Sequence, residues 1–212
     1  MSTANVDNRY RAILLLGATG SGKTPLGMLC EREGLWKRRC LHFDFGEQLR
    51  KADGDQQAGL YLSEDDITII SSSLKTGRLL EKEEFHIAEK IFRHFIEKKR
   101  AGKDFIVVMN GLPRHLSQAE DVDKLVDIQM LVYLDGSPEV IRRRIAQNSG
   151  GDRAGRIDDS LPEVECKLRL FEQRTLPLVS YYSGRGVRVE RITVTVKSSP
   201  QDIRRQIEGM PA

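Results

Sequence analysis

The residues most suggestive of chemistry are three glycines, a lysine and a threonine held within eight positions, Gly17-Ala18-Thr19-Gly20-Ser21-Gly22-Lys23-Thr24. Gly17, Gly20 and Gly22 let the backbone turn tightly, so that several N–H groups converge on one point. A helix opening directly behind them adds the positive end of its dipole. That arrangement cradles a polyphosphate. In the pattern GxxxxGK[ST], Lys23 is expected on the β- and γ-phosphates and the Thr24 hydroxyl on a magnesium ion, with Ala18, Thr19 and Ser21 completing the loop. ATP with Mg²⁺ is the ligand this spacing predicts. The bland alternative is a glycine-rich turn with a solvated lysine, which requires the full pattern to fall by chance behind a buried-strand run. Pro25 suits either reading, since proline is tolerated in a first helical turn.

Phosphate loops serve switches, motors and kinases, so the acceptor must be read from other residues. Arg50 closes the run His42-Phe43-Asp44-Phe45-Gly46-Glu47-Gln48-Leu49-Arg50, and Arg114 closes Asn110-Gly111-Leu112-Pro113-Arg114. Both runs follow apolar strands at the end that faces a ligand. A third cluster, Arg153-Ala154-Gly155-Arg156-Ile157-Asp158-Asp159, follows the stretch that contains Arg142, Arg143 and Arg144. Phosphoryl transfer needs positive charge around the equatorial oxygens and exclusion of water, which arginines on a closing segment supply. Carboxylates beside them aim the guanidinium groups. No general-base histidine is required. His86 and His94 therefore read as structural, while His115, next to Arg114, is a candidate contact for an acceptor phosphate.

Positioning these groups falls to alternating strands and helices. Apolar runs at 12–16, 40–43, 105–109, 130–134 and 187–194 predict five strands, the first and third unbroken enough to lie centrally. Ile87, Ala88, Ile91, Phe92, Phe95 and Ile96 lay one apolar stripe along a helix, with Glu89, Lys90, Arg93 and Lys98 facing outward. Ser160-Leu161-Pro162-Glu163 offers a capping box with proline in the first turn, predicting a helix from there to about residue 182. This is the pattern of a doubly wound α/β fold with a mostly parallel sheet and ligands at the carboxyl ends of its strands. At 212 residues and 39% hydrophobic content the chain can bury one core, and a single domain over 1–212 and a monomer are expected. A formal charge of +3 does not indicate a general nucleic-acid-binding surface. Cys30, Cys40 and Cys166 show no CxxC pair, which favours a reducing cytoplasm over a disulfide framework. Residues 1–10 lack a signal-peptide core, and 13–16 is too short to span a bilayer, so neither export nor a membrane is expected.

Taken together, the phosphate loop at 17–24, HxxxGxxLR at 42–50, GxPRxxxQ at 111–118, GRxDD at 155–159 and the segment 177–182 resemble the nucleoside monophosphate kinases, most closely the short-lid adenylate kinases and UMP/CMP kinases. The resemblance covers nearly the whole chain. It implies a P-loop fold with a five-stranded parallel sheet, a monophosphate-binding arm at about 44–80 with Gly77 as its turn, and a short lid at about 145–158. It further implies transfer of the γ-phosphoryl of MgATP to a nucleoside monophosphate. By resemblance, Arg50 and Arg114 hold the acceptor phosphate beside Gly111, Gln118 contacts the acceptor base, and Arg144 stacks on the ATP adenine. Arg156 neutralises the transferring group, and Asp158 and Asp159 position lid arginines.

The chain also departs from that pattern. Asn110 stands where the family has an aspartate that orders the magnesium water shell, and Asp44 in the neighbouring loop is a candidate to compensate, or else a turn residue. Phe45 replaces a threonine of the acceptor pocket; a phenyl ring there either stacks on a base or packs into the core. Asn148 replaces a lid arginine for which Arg153 can substitute, and Lys167 replaces an arginine that grips phosphate, leaving a point charge in place of a fork. The lid carries no cysteine and so no zinc staple. Two alternatives follow: a P-loop kinase of another small acceptor, and a nucleotide-binding protein with reduced or lost catalysis.

Overall fold

A computed structural model of the chain describes residues 9–100, 102, 104–151 and 160–210. Strand β1 (Tyr10–Leu16) runs into the phosphate loop and helix α1 (Lys23–Glu33), followed by β2 (Cys40–Asp44). Helices α2 (Phe45–Gly54) and α3 (Glu64–Thr76) occupy the stretch expected to be the arm, and α4 (Phe85–Lys98) returns to β3 (Ile106–Asn110). Then come α5 (Leu116–Leu125), β4 (Val126–Asp135), α6 (Pro138–Ala146), α7 (Leu161–Leu170), α8 (Leu178–Gly184), β5 (Arg188–Thr193) and α9 (Pro200–Glu208). The five strands form one parallel sheet in the order β2-β3-β1-β4-β5, the α/β architecture expected from the apolar runs.

Alternation along the strands explains why helices cover both faces. Leu14, Leu16, Phe43, Val107, Met109 and Leu131 share one core with the apolar stripe of α4, where the Phe43 ring meets Phe92 and Phe95 edge-on, each at 5.2 Å between centroids. Ile13, Leu15, Val108, Met130 and Val132 point the other way, against Leu26 of α1 and Ile203 and Ile207 of α9. Among the described residues no helix is long and apolar enough to cross a membrane.

Two expected boundaries are revised. β4 begins at Val126, four residues before the apolar run that announced it. Ala12 pairs with Ile128 and Ile13 with Met130, so Gln129 is a bulged, solvent-facing residue that interrupts the pattern in sequence but not the strand. The helix expected to continue to about 182 instead gives way to a π turn, Phe171–Thr175, and restarts at Leu178 behind Pro177, whose ring cannot continue an α-helical ladder.

The arm is fastened at the start of α3. Ser63 and Asp66 form a reciprocal capping box, and the buried Asp66 carboxylate also accepts from Lys90 Nζ (2.7 Å) and His86 Nε2 (2.8 Å) on α4. Burial opposes ionisation of Asp66, but Lys90, the Ser63 N–H and His86 together outweigh it and hold the carboxyl well below the usual range. Gly77 ends α3 in the left-handed conformation, φ 72°. Asp66→Ala is expected to lower unfolding free energy by about 2 kcal/mol in urea titrations near neutral pH. Because the folded pKa lies below the unfolded one, the wild-type advantage is complete above about pH 5 and shrinks as pH falls through the unfolded value near 4. An unchanged difference between the two proteins at pH 3 would contradict this assignment.

Candidate active site

At the carboxyl edge of the sheet, a cavity of about 230 Å³ runs from the phosphate loop to the underside of the arm. Its floor is set by strand register: Leu15 pairs with Asn110, and Asn110 with Asp44, so the ends of β1, β3 and β2 lie side by side. The loop after β1 requires glycine at its crossing points. Gly20 has φ 78°, and a Cβ there would lie 2.6 Å from Ile145, while one on Gly17 would meet the Leu134 carbonyl at 2.8 Å. Helix α1 has no acidic residue in its first turn and no side chain on its N-cap, Gly22, which leaves its amino end suited to an anion. Lys23 Nζ donates to the carbonyls of Gly17 (2.7 Å) and Ala18 (2.9 Å), lying back over the loop it is expected to serve.

Thr24 Oγ1 donates to Asp44 Oδ2 at 2.6 Å, and the Asn110 amide donates to the same oxygen at 2.7 Å and to Thr24 Oγ1 at 3.1 Å. Asp44 Oδ1 caps α2 by accepting from the Glu47 N–H at 3.0 Å. Burial pushes the Asp44 pKa upward, but the bonds from Thr24 and Glu47 prevail and hold it below the usual carboxylate range. His42, two residues earlier, is buried with its Nε2 lacking a hydrogen-bond partner and its pKa lowered by that burial. Its ring lies against Gly27 of α1, where a Cβ would come within 2.1 Å.

Opposite the phosphate loop, a Cβ placed on Gly46 would lie 3.6 Å from Arg50 Nη1 and 3.8 Å from Arg114 Nη2. Two guanidinium groups therefore converge at the amino end of α2. Arg114 Nε also donates to the Gly111 carbonyl (3.2 Å), and the Arg114 carbonyl accepts from the Thr175 hydroxyl (2.7 Å) in the π turn. Lys167, Leu170, Phe171 and Thr175 close this side of the cavity. Thr175 was not foreseen from the sequence, and nor was Arg78, which lines the cavity while forming a bidentate pair with Glu84. The glycine turn just before Arg78 was the available signal.

Other expected site residues sit deeper. Phe45 is buried in the core beneath the arm, its ring near that of Phe43. Gln118 is buried too, accepting from the Arg114 N–H and donating to the Leu80 carbonyl, each at 2.8 Å. His115 does not face the cavity: its Nε2 donates to the same Leu80 carbonyl and its Nδ1 meets the Ser117 hydroxyl. Arg144, 2% exposed, donates to the carbonyls of Gly20 (3.1 Å), Thr195 (2.8 Å) and Ser198 (3.0 Å), tying the phosphate loop to the segment between β5 and α9. Asn148 lies within the turn after α6 with φ 45°. Arg153, Arg156, Asp158 and Asp159 lie outside the described residues. Among the described residues, no group of three or more His, Cys, Asp or Glu side chains is placed to hold a metal by itself.

Comparison with known proteins agrees with the resemblance seen in the motifs. The chain is 26% identical over 181 residues to adenylate kinase isoenzyme 1 of Oryctolagus cuniculus, covering 84% of each. It is 26% identical to an adenylate kinase of Parabacteroides distasonis, covering 84% of this chain and 86% of the relative. To UMP-CMP kinase 1 of Oryza sativa subsp. japonica it is 27% identical, covering 82% of this chain and 64% of the relative. No family model matches the chain.

The bonds of Arg144 give the site a structural dependence separable from ligand contact. Arg144→Lys, which keeps the charge but loses the planar fork, is expected to lower unfolding free energy by about 1–3 kcal/mol. Stability unchanged in chemical denaturation would show that the carbonyl cage contributes little.

Proposed function

We propose that this protein is a nucleoside monophosphate kinase that transfers the γ-phosphoryl of MgATP to a nucleoside monophosphate. The observation that carries the reading is the pair of guanidinium groups, Arg50 and Arg114, converging at Gly46 in the same cavity that opens on the phosphate loop. One cavity thus offers two anion sites facing each other, which suits a donor and an acceptor phosphate. The similarity to adenylate and UMP-CMP kinases supports the assignment.

In this mechanism the loop N–H groups and Lys23 hold the donor phosphates, while Arg50 and Arg114 aim an acceptor phosphate oxygen at the γ-phosphorus. The new P–O bond forms as the bond to the β–γ bridging oxygen breaks, and the leaving diphosphate takes the electron pair. Magnesium, when bound with the nucleotide, neutralises charge on the phosphates. The oxygen donors of Thr24 and ionised Asp44 fit such a hard cation. Arg153, Arg156, Asp158 and Asp159 are assigned to the closing lid, with Lys167 contributing charge. Arg144, buried against backbone carbonyls in place of the adenine contact that the resemblance implies, braces the phosphate loop at Gly20. Gln118 and Phe45 are assigned to the acceptor side, beneath the arm. A reducing cytoplasm fits three free cysteines, two of them buried.

A second reading, a kinase of another small acceptor, is favoured by one detail: Phe45 is buried, and both ends of the Gln118 amide are engaged within the protein. Coupled assays with AMP, CMP, UMP, GMP and dAMP separate the two readings. Turnover with at least one is expected, and none with any would sink the first. Gly46→Ala tests the acceptor site directly. Its new methyl meets Asp44, Arg50 and Arg114 only at ordinary contact distances of 3.5–3.8 Å, so the protein is expected to stay folded. Stability should hold or rise by up to about 1 kcal/mol, while the acceptor KM rises about tenfold and ATP affinity is retained.

A further inference from the structure

The carboxylate that the family resemblance places at the end of β3 is an amide in this chain, Asn110, and a carboxylate stands one strand away at Asp44. We propose that the magnesium site has changed strands: the cation of the nucleotide complex is served by Thr24 and by Asp44 at the end of β2, with Asn110 reduced to holding that carboxylate in place. The inference rests on the MgATP-dependent reading above.

Four observations carry it. Asp44 and Asn110 are paired neighbours in the parallel register, so a carboxylate moved from one to the other remains at the same edge of the sheet. Thr24 donates its hydroxyl hydrogen to Asp44 Oδ2 and accepts from Asn110, which leaves one lone pair of its oxygen for a cation, and the donated bond makes that oxygen more electron-rich. The Asn110 amide turns its NH₂ toward both partners, because an ionised carboxylate only accepts hydrogen bonds; Asn110 is thus a donor at this spot. Finally, Asp44 is the single carboxylate among the described residues lining the cavity, against Lys23, Arg50, Arg78, Arg114 and Lys167. A divalent cation has one anionic side chain there to join. The arrangement also accounts for the amide: aspartates at both positions would set two like charges against each other across the strand pair.

The test measures ATP affinity by calorimetry in Mg²⁺ and in EDTA, with bound Mn²⁺ in the nucleotide complex followed by electron paramagnetic resonance. Asp44→Asn keeps a competent N-cap on α2 and removes only the charge. It is expected to lose about 10–100-fold of the affinity that Mg²⁺ adds, to weaken Mn²⁺ retention likewise, and to leave affinity in EDTA unchanged or tighter. The transposed variant Asp44→Asn with Asn110→Asp is expected to recover most of the loss. Asp44→Ser, whose hydroxyl also caps, serves if the amide variant does not fold. A full Mg²⁺ increment in Asp44→Asn or Asp44→Ser overturns the change of strand while leaving the kinase reading intact. Wild-type affinity indifferent to Mg²⁺, with no Mn²⁺ retained in the complex, likewise overturns the cation site, whereas the kinase reading falls only if turnover with every monophosphate is absent.

Discussion

The site depends on the register of three parallel strands. Pairing of Leu15 with Asn110 and of Asn110 with Asp44 aligns three strand ends at one level, and each end passes into a loop that carries charge. A shift of one residue in either pair would turn Asp44 and Asn110 to the opposite face, away from Thr24. The apolar alternation that fixes this register is enforced on both sides, because each face of the sheet is buried under helices. Site geometry and core packing are therefore set by the same contacts.

Charge in the cavity is unbalanced in the direction a polyphosphate requires. Among the described residues five cationic side chains line the cavity with one carboxylate, and the amino ends of α1 and α2 add their dipoles. Internal partners relieve some of the repulsion among these cations: Arg78 is paired with Glu84, and Lys23 rests on the carbonyls of its own loop. An anionic ligand would complete the balance.

Specific bonds hold α3 and the π turn behind α7 in place. Asp66 ties α3 to α4, Arg174 pairs with Glu81 at the base of the arm, and Thr175 holds the carbonyl of Arg114. The π turn presents Arg174 and Thr175 to these two partners at once, something a straight α-helix from 160 to 182 would not do with the same residues. The turn behind α7 is thereby tied to the backbone of Arg114.

Much of this was legible in the chain itself, for a physical reason. Strand alternation, the striped helix at Ile87–Ile96 and the glycine loop are local patterns, and each specifies its own element. The glycine loop raised the expectation of a donor site because the backbone conformation such a loop needs is available almost only to glycine. What sequence could not settle was how side chains divide their hydrogen bonds. Arg144, Gln118 and His115 are placed near the site by their motifs, but distant partners, the carbonyls of Thr195, Ser198 and Leu80, decide where their polar groups point. Likewise, Asn110 and Asp44 lie 66 positions apart in the chain, and only the pairing of β2 with β3 makes them one unit. Local conformation follows from residue type over a few positions, whereas the partners of a buried polar group are fixed by packing between segments far apart in sequence.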